Sequence, residues 1–148
     1  MVKMTGGCHC RNIEVVFETD VAPAATEPRA CQCSFCRQHQ SRAVSDSNGR
    51  LAITVHNGDL LSRYQFAMKT IDFLVCGNCG VYVAAFMPDP TDDAAFATLM
   101  ISALDERHGF PLPTAKNYDD QAKQDRTERR RKVWTPATLT FVRSPAKS

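Results

Sequence analysis

The seven cysteines of this chain fall into three tight groups, and no cysteine stands alone. The groups are a C-x-C of Cys8 and Cys10, a C-x-C-x-x-C of Cys31, Cys33 and Cys36, and a C-x-x-C of Cys76 and Cys79. Thiols one or two residues apart can turn both sulfurs toward one metal ion. The grouping therefore predicts metal binding by four ligands from the two pairs and by three ligands from the triple.

The two pairs predict a closed, structural zinc site. Four thiolates complete a tetrahedral Zn²⁺ site, and this one would join Cys8 and Cys10 to Cys76 and Cys79 across a long stretch of chain. The alternative is that the C-x-x-C binds its own metal with other partners. That alternative leaves Cys8 and Cys10 without a role.

The triple predicts a catalytic zinc site. Cys31, Cys33 and Cys36 lie within six residues and can only converge on one metal, whose fourth position stays open. A thiol bound there loses its proton readily, because the metal favours the thiolate. Such a thiolate is oriented to attack an aldehyde carbon, and the reverse reaction cleaves a carbon–sulfur bond.

Two alternatives for the triple remain open. His39 follows Cys36 by three residues, so it could close a second structural site of the Cys₃His type. The triple could also be metal-free. The other histidines are predicted to have no ligand role, with His9 facing away from its flanking cysteines, His56 solvated in a turn and His108 in a loop.

The bulk composition indicates a single globular domain over residues 1–148. Hydrophobic residues make up 43% and charged residues 23%, and the formal net charge is +2, so disorder is not expected. The start of the chain does not resemble a signal peptide, and no apolar run reaches membrane-spanning length. A cytoplasmic location follows as an expectation, and in that reducing compartment clustered cysteines are more often metal ligands than disulfides.

The hydrophobic pattern predicts a mainly β fold with short helical turns, stapled by zinc. Strands are expected over residues 12–18, 51–55, 60–66, 72–75, 81–86, 97–104 and 139–142. Residues 20–30 are predicted to form a loop, and residues 56–59 a hairpin turn. Ser34 is expected to cap one helical turn over 34–40, and the strands around Cys76 and Cys79 resemble a zinc knuckle in which Gly80 takes a positive φ.

A basic segment, RTERRRK at 126–132, allows several interpretations. Residues 118–132 form either a helix or a solvated loop. Nucleic-acid binding is disfavoured because few aromatic side chains interleave with the charges. A solvated face is favoured, balanced by Asp119, Asp120, Asp125 and Glu128. In a third interpretation, one arginine holds a carboxylate of an anionic substrate.

The order of the three cysteine groups resembles the glutathione-dependent formaldehyde-activating enzyme family, whose domain is shared with centromere protein V. The matching stretches are GGCHCRNIEVVFE, CQCSFCRQ, NGDLLSRYQF and FLVCGNCGVYV, with a weaker match at ISALDE and Trp134. They span most of residues 6–105, and a C-terminal strand at about 134–143 follows. The resemblance implies a β-tent fold with two zinc ions. It places Cys8, Cys10, Cys76 and Cys79 on the structural zinc and Cys31, Cys33 and Cys36 on the catalytic zinc.

The resemblance also implies a reaction, the addition of glutathione to formaldehyde or a related carbon–sulfur lyase step. Arg11 stands where the family often has glycine, and Gln40-Ser41 where it often has Thr-Gly, near the expected pocket. We therefore expect a zinc-dependent lyase or adduct-forming enzyme that takes a glutathione-like thiol and an aldehyde. The alternative is a non-enzymatic zinc module that binds protein or nucleic acid.

Overall fold

The mainly β prediction is confirmed by the computed structural model, which describes residues 1–88, 94–118 and 121–146. Strands account for 44% of the described residues and helices for 21%. Asp119 and Asp120, which the sequence suggested as charge partners, lie outside the described residues. The strands are β1 Val2–Gly7, β2 Ile13–Thr19, β3 Arg29–Cys31, β4 Ala43–Val44, β5 Arg50–Asn57, β6 Leu61–Tyr64, β7 Asp72–Cys76, β8 Tyr82–Pro88, β9 Ala95–Met100, β10 Thr114–Lys116 and β11 Thr135–Arg143.

The described residues form two α-helices. Both lie close to the cysteine triple, the first in sequence and the second in space. They are α1, Ser34–His39, and α2, Lys123–Val133. Single 3-10 turns cover Pro23–Ala25, Gly58–Leu60, Ile101–Ala103 and Arg107–Gly109. Within the described ranges, no helix has the length and apolar character needed to cross a bilayer.

Four strands form the first sheet in the order β1-β2-β5-β11. Neighbours pair antiparallel except β5 and β11, which run parallel with Ile53 opposite Leu139. In β2 and β5 burial alternates along the strand, because successive side chains of a strand point to opposite faces. The inward side chains of these strands, such as Val15 and Ile53, are almost completely buried and form much of the main core.

The second sheet runs β6-β7-β8-β9 in antiparallel order, and β4, β3 and β10 continue it beyond β9. It joins the first sheet through β11. Thr135 and Pro136 pair with β9, whereas the residues from Ala137 onward pair with β5. One strand therefore belongs to both sheets, which enclose the main core between them.

The expected hairpin at residues 56–59 is wrong. Both edges of β5 are already occupied, by β2 and by β11, so β6 cannot return along it and pairs with β7 instead. The connection is a 3-10 turn in which the Asn57 side chain accepts a hydrogen bond from the Asp59 amide. The turn residues were identified correctly, but their type does not determine which strand is the partner.

Three other expectations need correction at their boundaries. The strand predicted over 97–104 ends at Met100, and a 3-10 turn follows, after which Leu104 bridges to Gly6. The loop predicted over 20–30 contains the 3-10 turn Pro23–Ala25 and the start of β3. The segment 118–132, left open between helix and loop, is helical from Lys123.

Candidate metal centres

The two cysteine pairs converge as the sequence predicted. The Sγ atoms of Cys8, Cys10, Cys76 and Cys79 all lie within 4.8 Å of one another. The Cys8–Cys10 and Cys10–Cys76 sulfurs are 3.8 and 3.6 Å apart. A tetrahedral Zn²⁺ with bonds of about 2.3 Å requires sulfurs about 3.8 Å apart. The donor set of this four-cysteine centre therefore fits zinc.

Backbone amides point at these sulfurs, as they do around metal-bound thiolates. The Ile13 amide donates to Cys8 Sγ at 3.2 Å, and the amides of Asn78 and Cys79 donate to Cys76 Sγ, each at 3.4 Å. Gly80 has the predicted positive φ, 82°, and its amide donates to the Cys76 carbonyl. The turn is thus folded around the thiolates.

Electrostatics shows what a metal would contribute at the four-cysteine centre. Burial raises the pKa of Cys8 to about 12, so this thiol holds its proton unless a cation replaces it. At Cys79 burial also raises the pKa, but the backbone N–H groups of Cys10 and Val81 outweigh it and lower the pKa to about 6. A dication would compensate the charge of all four thiolates together.

The cysteine triple converges separately. Cys31 is the last residue of β3, Cys33 precedes α1 and Cys36 lies in its first turn, and their three sulfurs lie within 4.8 Å of one another. We call this group the three-cysteine centre. All seven cysteines are free thiols, so neither centre is a disulfide.

The helix cap at the three-cysteine centre differs from the sequence prediction. Cys33, not Ser34, is the N-cap of α1: its backbone is extended, and its sulfur accepts a hydrogen bond from the Cys36 amide at 3.4 Å. Ser34 is the first helical residue. A thiolate at this position satisfies an orphan helix amide as a hydroxyl would, so the same residue serves as cap and as candidate ligand.

Charge in the three-cysteine centre is concentrated on one sulfur. Hydrogen bonds from Cys33 and Cys36 lower the pKa of Cys31 to about 2, and the Arg129 charge acts in the same direction. The interaction with the Cys31 thiolate raises the pKa of Cys36. Without a cation, the three sulfurs therefore favour a single negative charge, held mainly on Cys31. A dication would stabilise three thiolates instead.

His39 does not join the three-cysteine centre. Its ring packs against Phe35 and Tyr82, with centroid distances of 4.4 and 5.3 Å. Within the described part of the chain, no histidine or carboxylate belongs to the cluster of sulfurs around Cys31. The structure thus favours the open three-ligand arrangement over a closed Cys₃His site. The other histidines are exposed and belong to neither group of sulfurs, but His56 lies in β5, 3.0 Å from Glu14, rather than in a turn, and His108 lies in a 3-10 turn.

A cavity of about 390 Å³ opens beside the three-cysteine centre and is lined by all three of its cysteines. One wall is aromatic: Phe66, Phe73 and Tyr82 line it, and the Phe66 and Phe73 rings are 5.1 Å apart. Trp134, part of the weaker family motif, lies buried in the same lining. The cavity size suits a small-molecule ligand.

Tyr82 is a site residue that the sequence analysis missed. It is 5% exposed, and its pKa is raised well above the usual range by burial and by the neighbouring thiolates, with the phenol interacting with Cys36. In sequence it looks like an ordinary strand residue after the knuckle. Only its register in β8, which turns it toward a second group of buried side chains that includes Cys36, Phe73 and Trp134, reveals its position.

Arginines also line the cavity, which corrects the interpretation of the basic segment as a solvated face. Arg29, Arg126, Arg129 and Arg130 line the cavity. Arg130 is 7% exposed; its Nη1 donates to Thr70 Oγ1 at 2.9 Å, and its guanidinium lies 5.4 Å from the Trp134 ring centre. Helix α2 thus presents guanidinium groups to the cavity. Its sequence has no apolar periodicity that would indicate an inward-facing side.

Two positions depart from the family pattern, Arg11 and Gln40-Ser41, and only the second reaches the cavity. Arg11 has a φ of 65°, the left-handed conformation that favours glycine, and its guanidinium donates to Asp105 Oδ1 at 2.7 Å. It does not line the cavity, whereas Ser41 does. Gln40 also has a positive φ, 49°, at the end of α1. The Arg11 change therefore lies away from the expected pocket.

These features define a class: a mainly β protein with two cysteine centres, one of four sulfurs joining its two sheets and one of three sulfurs facing a cavity. The family model for the glutathione-dependent formaldehyde-activating enzyme matches residues 3–121. The chain belongs to this family.

Comparison of structures gives a similar fold. A crystal structure of a Rhodobacter sphaeroides protein, solved as a Northeast Structural Genomics target, superposes with a TM-score of 0.50 at 19% identity, covering 93% of this chain and 99% of that one. At this identity the likeness concerns the fold alone. No curated protein matches the sequence at a significant level.

Proposed function

We propose that the protein is a zinc-dependent enzyme that joins a glutathione-like thiol to an aldehyde, or cleaves such an adduct as a carbon–sulfur lyase, in the cytoplasm. One observation carries the proposal: three converged cysteines, with no fourth protein ligand in the described residues, face a cavity of about 390 Å³. Family membership agrees with this chemistry. S-hydroxymethylglutathione synthesis is the reaction that the family name suggests first.

The residues present fit zinc in both centres. Cys8, Cys10, Cys76 and Cys79 would hold a structural ion, and Cys31, Cys33 and Cys36 a second one. A second ion so bound would favour the thiolate form of an incoming thiol. The remaining requirements, binding, orientation and exclusion of water, fall to the side chains around the cavity.

The aromatic wall supports water exclusion and orientation. Phe73 is 5% exposed, and Phe66 packs on it at the cavity edge, so a ligand between them and the sulfurs would be shielded from solvent on that side. Tyr82 keeps its proton because its pKa is raised by burial. Its hydroxyl can therefore donate a hydrogen bond beside Cys36 and limit that sulfur's orientation.

Metal analysis combined with X-ray absorption, with and without glutathione, tests the proposal. We expect two zinc ions per chain, one bound by four sulfurs and one by three sulfurs and a lighter atom. Glutathione should replace that lighter atom with a fourth sulfur. A single zinc ion, or two ions whose sulfur coordination ignores glutathione, would contradict the proposal.

The alternative of a nucleic-acid-binding zinc module loses its main support. It rested on the basic segment and on closure of the second site by His39. Arg129 and Arg130 of that segment line the cavity, and His39 does not belong to the cluster of sulfurs. A positively charged exposed stripe is what nucleic-acid binding requires.

A further inference from the structure

The cavity lining carries a concentration of positive charge that the proposed thiol chemistry does not use. Arg29, Arg129 and Arg130 belong to this lining, and we call them the arginine cluster. Among the described residues that line this cavity there is no Asp or Glu. None of the three pairs with a carboxylate in the described ranges.

Arg130 is the strongest indication of a ligand. It is 7% exposed, and its Nε finds no hydrogen-bond partner among the described residues. Among the described residues, its guanidinium donates a hydrogen bond to the neutral Thr70 hydroxyl. A buried guanidinium without a hydrogen-bonded carboxylate is costly, and a ligand carboxylate would supply that partner.

The arginine cluster is held in place before any ligand binds. The Arg129 guanidinium lies 3.5 Å above the Tyr118 ring centre, and its Nε donates to Gln121 Oε1 at 2.9 Å. Arg29 donates to the hydroxyls of Ser45 and Thr98 at 2.6 and 3.2 Å. These neutral partners fix the guanidinium groups without neutralising them, which is the arrangement of a preorganised anion site.

The charge balance favours an anion even when zinc is present. Three thiolates and one Zn²⁺ sum to −1, and the three guanidinium groups of the arginine cluster add +3, so these groups together keep an excess of +2. The cluster and the sulfurs line the same cavity. The two charged groups therefore address one ligand.

We infer that the arginine cluster is a subsite for a carboxylate of the substrate, so that the enzyme prefers an anionic substrate to a neutral analogue with the same reacting group. The inference rests on the proposed function only for where the reacting group lies. The carboxylate can belong to the thiol or to the aldehyde. Guanidinium groups recognise the planar, two-oxygen group in either case.

The test compares acids with neutral analogues on wild-type protein and on matched variants. Calorimetry measures glutathione against its diethyl ester, and succinate against succinamide as thiol-free probes. Steady-state kinetics compares glyoxylate with formaldehyde as the aldehyde. The variants are Arg129→Gln and Arg130→Gln, and Lys132→Gln is the control, because Lys132 is an exposed cation of the same helix that does not line the cavity.

We expect wild-type protein and Lys132→Gln to prefer the acid over its neutral partner by roughly tenfold or more. In Arg129→Gln and Arg130→Gln the preference should fall toward one. Preference within the glutathione pair places the carboxylate on the thiol, and preference for glyoxylate places it on the aldehyde; either outcome supports the subsite. If Arg130→Gln does not fold, Arg129→Gln, which is only partly buried, carries the test.

Three outcomes would overturn the inference. They are equal binding of acids and neutral analogues by wild-type protein, equal weakening of both in the arginine variants, and the same loss of preference in Lys132→Gln. The thiol-free pair separates this inference from the proposed function. A preference for succinate without any reaction of thiols would support the carboxylate subsite and contradict the proposed function. Turnover without a preference for acids would support the proposed function and contradict the subsite.

Discussion

At the scale of single residues, the two cysteine centres differ in what surrounds their sulfurs. The four-cysteine centre has four sulfurs and amide donors on several of them, as at Cys8 and Cys76. The three-cysteine centre has one fewer sulfur and a cavity in place of the fourth. The same residue type therefore has two different surroundings, which fits the proposed division into a structural centre and a ligand-binding centre.

This difference predicts opposite effects for two matched Cys→Ser substitutions. Cys76→Ser removes a ligand that joins the two sheets, and we expect it to lower the free energy of unfolding by roughly 3 kcal/mol or more. Cys33→Ser should abolish turnover and lower the zinc content by one equivalent. Most of the thermal stability should remain. Thermal melts, metal content and activity of both variants check this, and identical behaviour would contradict the division into two kinds of centre.

The cysteine residues were predictable from the sequence because spacing alone restricts which thiols can meet. The partition into two pairs and a triple is what the geometry gives. Arg129, Arg130 and Tyr82 were not predictable in their roles. A charged run on a helix normally indicates a solvent-exposed face. The contacts with Trp134 and Thr70 that hold Arg130 inward are tertiary contacts, which the local sequence does not show. Arg11 shows the same limit: its pairing with Asp105 spans much of the chain.

At the scale of elements, the knuckle between β7 and β8 depends on backbone conformations that few residues tolerate. Gly80 has a φ of 82°, and open space surrounds the position of a Cβ. Gly6, in β1, is different: a Cβ there would lie 1.9 Å from the Ala103 carbonyl oxygen. One glycine is required by conformation and the other by close approach.

We expect Gly80→Ala to cost about 1 kcal/mol of stability through backbone strain alone. Gly6→Ala should cost more than about 2 kcal/mol, because the contact between β1 and the turn after β9 must open. Chemical denaturation of both variants measures the order. Gly80→Asn serves as a control, since asparagine tolerates positive φ and should lose less than alanine.

Strand identity was easier to predict from the sequence than strand pairing. Alternation of apolar and polar residues located β2, since period-two burial is a local property. The partner of β6 is not local. It was assigned to β5 by turn type, but parallel pairing of β5 with β11, about eighty residues further along the chain, had already filled that edge.

At the scale of the whole molecule, the four-cysteine centre connects the first sheet, through the chain between β1 and β2, to the second, through the β7–β8 turn. Cys10 and Cys76 are separated by 66 residues, and their sulfurs lie 3.6 Å apart. The three-cysteine centre lies within one short segment, Cys31 to Cys36, and crosslinks little. A metal ion bound at the first centre would thus stabilise the fold, and one bound at the second would serve the cavity.

Stepwise removal of metal should separate these contributions. With increasing chelator, the ion held by three sulfurs should leave first because it has fewer thiolate ligands, and activity should fall before the melting temperature does. Loss of the second equivalent should then bring a large drop in melting temperature. Zinc release, activity and melting followed on the same samples give the order, and a melting temperature that falls with the first equivalent would contradict it.

The shared strand β11 has a consequence for the kinetics of folding. Its pairings with β5 and β9 close large loops, and contacts so distant along the chain form late and slowly. Until they form, β5 and β9 each present an open edge with unpaired amides and carbonyls, which another chain can extend. Refolding yield should therefore fall steeply with protein concentration, whereas the folded protein, with both edges covered by one strand, should not show that dependence.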